Sequence, residues 1–367
     1  MIRLERRVDN PTWLRLAVPL GSILGALVLG AILLAVNGQD ALGTYSRILD
    51  RGFTSQGAFT ATLTAASPLL FTGLAAAVAF RMGVFNIGGE GQLIMGAVGA
   101  SGAGLALGGE PLVVVITGMV LAGALAGALW AGIAAVLKAW ANTNEIITTL
   151  MLNYIAINLA TYLVFGSKSY WRKLDGSGLM FPQGKPLETS TNWPAYDFGN
   201  FTVPFGFALG TLIAIGLYVL FRRTRYGFQV RVIGDEPRAA RYAGMRTKRT
   251  VFTLMLLSGA VAGIGGASDV GDTRHVLDPK ALGQAGYGYA GIVVAALARL
   301  NPIAIVPVSI LMGGLANAGR ALQGPDFPAG LVGTLQGLLL ISTLAGELFA
   351  RYRIVRKAAP QPTAAAA

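Results

Sequence analysis

The sequence predicts an all-α polytopic membrane protein of about ten transmembrane helices, with short or interrupted spans and the marks of an inverted repeat. Three observations carry that prediction. Of the 367 residues, 54% are hydrophobic and only 13% charged, against about 25% charged in a typical soluble domain. Mean hydropathy is +0.59, and apolar runs recur along the whole chain. Basic residues collect in alternate loops, as the positive-inside rule expects of a multi-span protein. These features exclude a soluble globular enzyme, a disordered chain and a nucleic-acid-binding domain. The isoelectric point near 10.2 does not reverse that, because a basic nucleic-acid footprint needs a soluble face to sit on.

A spanning helix takes about 20 mostly apolar residues. The first run, 16–36, is uncharged and led by Arg3, Arg6, Arg7 and Arg15. It is longer than the apolar region of a signal peptide and no A-x-A cleavage pattern follows, so it reads as an uncleaved anchor. Further runs lie at 60–80, 93–107, 112–137, 146–165, 205–221, 251–267, 286–298, 303–318 and 331–349. Runs 93–107 and 286–298 are too short to cross alone as regular helices. They are either extended by their Gly-rich flanks or form broken, re-entrant elements.

With ten spans, the inward segments hold 20 Lys and Arg against 7 acids and the outward ones 9 against 10, charges of +13 and −1. Omitting a span would strand Arg351, Arg353, Arg356 and Lys357 on the wrong side. The reading is one transmembrane domain over 1–350 in the cytoplasmic membrane, with both termini cytoplasmic and a charged cytoplasmic loop at 222–250. A tail at 351–367 is basic and then Ala/Pro-rich, and its last part reads as disordered. The external loop 167–204 carries Tyr170, Trp171, Trp193 and Tyr196, expected as interfacial anchors.

Catalytic and metal chemistry finds little support. There is no Cys and a single His, His275, so thiolate sites and most zinc or His-based acid–base chemistry drop out. The P-loop pattern is missing: Gly184-Lys185 has Leu179 where the first Gly belongs and Pro186 after it. The chain is therefore expected to bind no cofactor and hydrolyse no ATP itself. No catalytic residue and no metal ligand is assigned.

Four segments carry the candidate function. The first follows the second span: Phe85-Asn86-Ile87-Gly88-Gly89-Glu90-Gly91-Gln92. Polar side chains set against apolar spans need partners and are functional candidates, although an ordinary cytoplasmic turn also fits. The second is Asn142-Thr143-Asn144-Glu145, leading into a span that contains Asn153 and Asn158. Asn144 or Glu145 fits a helix cap. Asn153 and Asn158 are five residues apart and so face different sides, and Asn153 is the better pathway candidate. The third is the charged loop, where Pro237 can open a helix and Gly244 can close it. So short a helix is marginal alone and implies a docking partner, the alternative being plain positive-inside charge.

The fourth, Gly286-Tyr287-Gly288-Tyr289-Ala290-Gly291, matches G-x-G-x-x-G formally but lacks the strand and soluble helix of a dinucleotide site. Close helix packing explains it better, as it does the GxxxG pairs Gly21/Gly25, Gly123/Gly127, Gly259/Gly263 and Gly333/Gly337. The polar, Gly-rich runs at 81–107 and 283–298 fall on opposite sides in the ten-span topology, the pattern of an inverted repeat.

At these residues the chain resembles permease subunits of bacterial ABC importers of the ribose, simple-sugar and nucleoside type, in the branched-chain amino acid permease superfamily. The carriers are Phe85 to Gln92, Asn144-Glu145-Ile146 through Met151-Leu152-Asn153-Tyr154, Ala239-Ala240-Arg241-Tyr242-Ala243-Gly244, and Gly291-Ile292 through Asn301-Pro302. The likeness runs over about 41–349, and the Gly-Glu-Gly-Gln form is more similar to the nucleoside or purine branch than to the ribose branch.

That resemblance implies a second permease subunit, identical or homologous, a cytoplasmic ATPase subunit that binds the ATP, and an external solute-binding protein. It makes the helix near Pro237–Gly244 a coupling helix, with Gly234, Asp235, Pro237, Ala239, Ala240, Arg241 and Gly244 as its contact set. The glutamate that opens the broader motif is out of register, which leaves Glu236 outside the set. By position, Asn86, Glu90, Gln92 and Asn153 would line or gate the solute path. The competing class is an ion-coupled secondary transporter, which needs a mid-membrane acid or His relay. The predicted spans offer only Glu347.

Overall fold

The computed structural model describes residues 2–6, 14–36, 38–322 and 330–356. The Ala/Pro-rich tail expected to be disordered lies outside the described residues. Two compact units emerge, 1–41 with 333–367, and 42–332.

In the first unit, strand β1 (Ile2–Arg6) leads to helix α1 (Leu14–Val36). The polar Ser22 of α1 donates to the carbonyl of Ser342 at 3.1 Å. Strand β4 (Tyr352–Arg356) pairs antiparallel with β1 in the register Ile2↔Arg356 to Arg6↔Tyr352.

The second unit begins with α2 (Ala41–Leu49), a π-helical turn at Asp50–Thr54, and α3 (Ala58–Phe80). It continues with α4 (Gly89–Ala106), α5 (Leu112–Ala141) and α6 (Glu145–Thr161), the last ending in a second π-helical turn, Tyr162–Gly166. The following loop holds the short α7 (Ser177–Met180) and a hairpin of β2 (Ala195–Asp197) with β3 (Thr202–Pro204). Next come α8 (Phe205–Arg223), α9 (Arg225–Asp235), α10 (Pro237–Tyr242) and α11 (Thr247–Asp269), the last running into a π-helical turn, Val270–Arg274. The unit ends with α12 (Pro279–Ala285), α13 (Tyr287–Leu297) and α14 (Pro302–Ala321). Helix α15 (Leu331–Arg351) carries the chain back to the first unit.

All ten apolar runs fall on helices. Six helices among the described residues are long and apolar enough to cross a membrane: α3, α5, α6 and α11 with their π-helical turns, α8 and α14. Helix α13 is too short at 11 residues. The core forms around α3 and α11. The apolar window of α3 is 89% buried, whereas that of α5 is 22% buried and presents most of its surface outward.

Glycine decides how closely α11 and α5 approach. A Cβ on Gly123 would stand 2.9 Å from the carbonyl oxygen of Gly263, and one on Gly127 would stand 2.7 Å from its Cα. Gly123/Gly127 and Gly259/Gly263 thus face each other as small-residue pairs. Among the described residues, Gly21, Gly333 and Gly337 have no atom near enough for a Cβ to meet.

The loop aromatics also need correction. Trp193 is buried beneath Gly271 and stacks edge-on with Phe205 at 5.4 Å. The Trp171 indole donates to the Val98 carbonyl at 3.0 Å and covers Gly102. Both tryptophans are pegs that fasten the loop to the helices, while Tyr170 and Tyr196 remain exposed as anchors would be.

Candidate functional site

Helix α3 stops at Phe80, and Gly83, at φ +70°, turns the chain back toward the interior. The stretch that follows is extended until α4 starts at Gly89. Gly286, at φ +60°, lets α13 start at Tyr287. These two starts touch. A Cβ on Gly288 would lie 2.5 Å from Glu90 Cα, and the Gly288 amide donates to Glu90 Oε2 at 2.5 Å. At about 1.5 Å per residue, an 11-residue α13 is about 16 Å long, roughly half of a 30 Å hydrocarbon core. Its positive N-terminal end therefore meets a carboxylate inside the molecule.

The two Gly-rich runs, 81–107 and 283–298, meet at this point. Glu90 is 4% exposed, and its Oε1 has no hydrogen-bond partner among the described residues.

The predicted path residues surround this contact. Asn86 and Gln92 form a reciprocal amide pair, Nδ2 to Oε1 at 3.1 Å and Nε2 to Oδ1 at 2.9 Å. Asn86 also donates to Ser258 at 2.9 Å and accepts from the Gly88 amide at 3.0 Å. Asn153 clamps the turn from α6, accepting from the Gly91 amide at 2.8 Å and donating to the Ile87 carbonyl at 3.0 Å. A further bond from Asn153 reaches the hydroxyl of Tyr289 at 3.4 Å. The amides are thus buried and mutually satisfied, which fixes the turn, and the cluster reaches the surface through Tyr289 and Phe85. Asn158 lies on the other, exposed face of α6. Asn144 caps α6 by accepting from the Ile146 amide at 2.9 Å. Glu145 pairs with Lys138 at 2.7 Å.

A second polar set went unread in the sequence. Helix α11 continues past the predicted end at 267, so Asp269 is buried and pairs with Arg274 at 2.5 Å. The spacing of five matches the π-helical turn at Val270–Arg274, and such a turn marks a functional or strained place. Tyr287, the first residue of α13, lies beside this pair, and its carbonyl accepts from Thr72 at 2.8 Å. Asp272 accepts from Ser268 at 2.8 Å and from the Gly206 amide at 3.0 Å. Glu347 is therefore not the sole acid in the helical body: Glu90, Asp269 and Asp272 are there too. Each of these three is held by internal donors. His275 follows at φ +52°, and burial lowers its imidazole pKa.

The charged loop is built in the opposite way. Pro237 opens α10, and Gly244, at φ +73°, ends it, with the Gly244 amide donating to the Arg241 carbonyl at 3.0 Å. Ala240 is buried, whereas Asp235, Pro237, Ala239, Arg241 and Gly244 are exposed, and Tyr242 is 93% exposed. The base of this helix is anchored through α9. A Cβ on Gly234 would lie 2.7 Å from the Arg81 carbonyl. Arg81 in turn donates to the Leu300 carbonyl at 2.6 Å and stacks over Phe221 at 4.6 Å. Burial, and then the charge of Arg231, lower its pKa. One guanidinium thus ties the end of α3, the α13–α14 turn and α8 to the foot of the loop.

A helical body with two helix starts meeting inside it and an exposed charged helix on a fixed base is the build of a membrane transport component. Comparison with known proteins gives the family. Residues 58–344 match the model of the branched-chain amino acid transport system permease component, and the chain belongs to that family. It is 31% identical to a glucose ABC transporter permease protein of Haloferax volcanii over 96% of this chain and 93% of that one. It is 32% identical to a guanosine ABC transporter permease protein of Bacillus subtilis, over 82% and 84%. A nucleoside ABC transporter permease protein of Lactococcus lactis is 28% identical, over 87% of each.

Proposed function

We propose that this chain is the permease subunit of an ABC importer for a sugar or nucleoside, with nucleosides and purines favoured and simple sugars next. The observation that carries the reading is the α10 region, exposed at Asp235, Pro237, Ala239, Arg241 and Gly244 of the predicted contact set and standing on a base fixed by Gly234 and Arg81. That is the form a lever driven by a separate ATPase subunit needs. A second permease subunit and an external solute-binding protein complete the complex. The subunit crosses the cytoplasmic membrane ten times as a single domain over 1–350, with both termini cytoplasmic. The β1–β4 pairing, which sets residues 2–6 beside 352–356, supports their lying on the same side of the membrane.

Asn86, Glu90, Gln92 and Asn153 form the gate beside the path, and Tyr289 and Phe85 are its exposed aromatic edge. The N-terminal end of α13 already holds the Glu90 carboxylate, so it has no call for an anionic solute. A neutral solute with a stacking face and hydrogen-bonding groups fits better. The test is uptake of labelled guanosine and glucose into vesicles containing the whole complex. ATP-dependent uptake of either supports the reading, and uptake that follows an imposed proton or sodium gradient without ATP overturns it.

A further inference from the structure

Beside α10 lies a cleft of about 790 Å³ between the α5–α6 turn and the start of α11. Its walls carry Lys138, Trp140, Arg241, Arg246, Lys248 and Arg249. The acid in that wall, Glu145, is already neutralised by Lys138 at 2.7 Å. Among the described residues no carboxylate pairs with Arg241, Arg246, Lys248 or Arg249, so four cations converge without an anion.

The position of the cleft matters as much as its charge. Ala139 and Trp140 belong to the last turn of the outward-facing helix α5, and Thr247 to Val251 form the first turns of the α11 span. Trp140 is 54% exposed and meets Phe252 edge-on at 5.4 Å. Exposed tryptophan at a span end marks the membrane interface, and basic pockets between span ends on the cytoplasmic side suit anionic headgroups. The coupling helix contributes Pro237 and Arg241 alone to the cleft.

We infer that this cleft binds the phosphate of an anionic phospholipid, whose acyl chains lie along α5, and that the bound lipid braces the foot of α10. This rests on the proposed orientation, in which the loop is cytoplasmic. A protein partner with an acidic surface is the competing occupant. It is disfavoured because the cleft wall includes the exposed Trp140 of α5, a span whose apolar window is only 22% buried.

The experiment uses the complete complex in phosphatidylcholine nanodiscs doped with phosphatidylglycerol, followed by native mass spectrometry of the lipid retained after extraction. Wild type should retain phosphatidylglycerol over phosphatidylcholine, and excess inorganic phosphate should not displace it. Lys248→Gln with Arg249→Gln should weaken retention about tenfold to thirtyfold, the expected effect of removing two charges near a membrane surface. Lys248→Arg with Arg249→Lys, which keep the charge, should retain the lipid. Equal retention by the Gln pair, or displacement by phosphate alone, overturns the inference. So does protection of Lys248 from amine labelling by the ATPase subunit in nanodiscs free of anionic lipid. Failure to find an ATPase subunit defeats the proposed function, while lipid retention by the permease is still read separately.

Discussion

The contact between α4 and α13 and the α9–α10 loop are both glycine-dependent, but they use glycine for opposite ends. At Gly288 the absent Cβ lets two helix starts touch, and among the described residues Glu90 Oε1 is the one buried side-chain polar atom of this contact without a hydrogen-bond partner. At Gly244 the positive φ ends α10, and the side chains around it face outward. The first region is closed on itself, and the second is exposed. In the proposed function the first is a gate that holds one shape until pushed, and the second the handle that pushes it.

The comparison can be broken at its interior end first. Arg274→Ala leaves Asp269 buried without its ion-pair partner and with only the Tyr287 side chain bonded to it, a loss of about 3–5 kcal/mol, seen as a large drop in thermal unfolding temperature in detergent. Asp269→Asn in the same chain should recover much of it. Gly288→Ala puts a methyl against the Glu90 backbone, an overpacking cost of about 1–3 kcal/mol, with uptake lost and the ATPase subunit still bound. Asn153→Leu strands the Gly91 amide and the Ile87 carbonyl, each unsatisfied group costing about 1–3 kcal/mol. Because the turn can relax, its expected effect on uptake is smaller than that of Gly288→Ala. Release of the ATPase by Asn153→Leu would contradict the separation of gate and handle.

The open end should respond differently. Gly244→Pro removes both the positive φ and the bond to Arg241. It should abolish coupled uptake while membrane insertion and the unfolding temperature hold. Tyr242→Ala touches a side chain that is 93% exposed, so stability should move by no more than about 0.5 kcal/mol, and only ATPase affinity should fall.

Much of this was legible in the sequence because it depends on local chemistry. The apolar runs marked every long helix, Pro237 and Gly244 bracketed α10, and Gly123/Gly127 with Gly259/Gly263 marked a close crossing. What escaped depends on tertiary neighbours. Glu90 and Gly288 are 198 residues apart, and nothing local says that their helices start against each other. Asp269 looked like loop because hydropathy falls at the end of a span, yet the helix runs on and Arg274 compensates the charge. Trp193 looked like an interfacial anchor because only the fold reveals the Gly271 that it covers.

The most direct test of the central claim is partner capture from native membranes in mild detergent, with stoichiometric quantification, for wild type and Gly244→Pro. The account predicts a nucleotide-binding subunit in fixed ratio to the wild-type chain and its loss from the variant, with folding unchanged. A folded wild-type chain recovered alone, or a variant that keeps its full complement of ATPase, would contradict it.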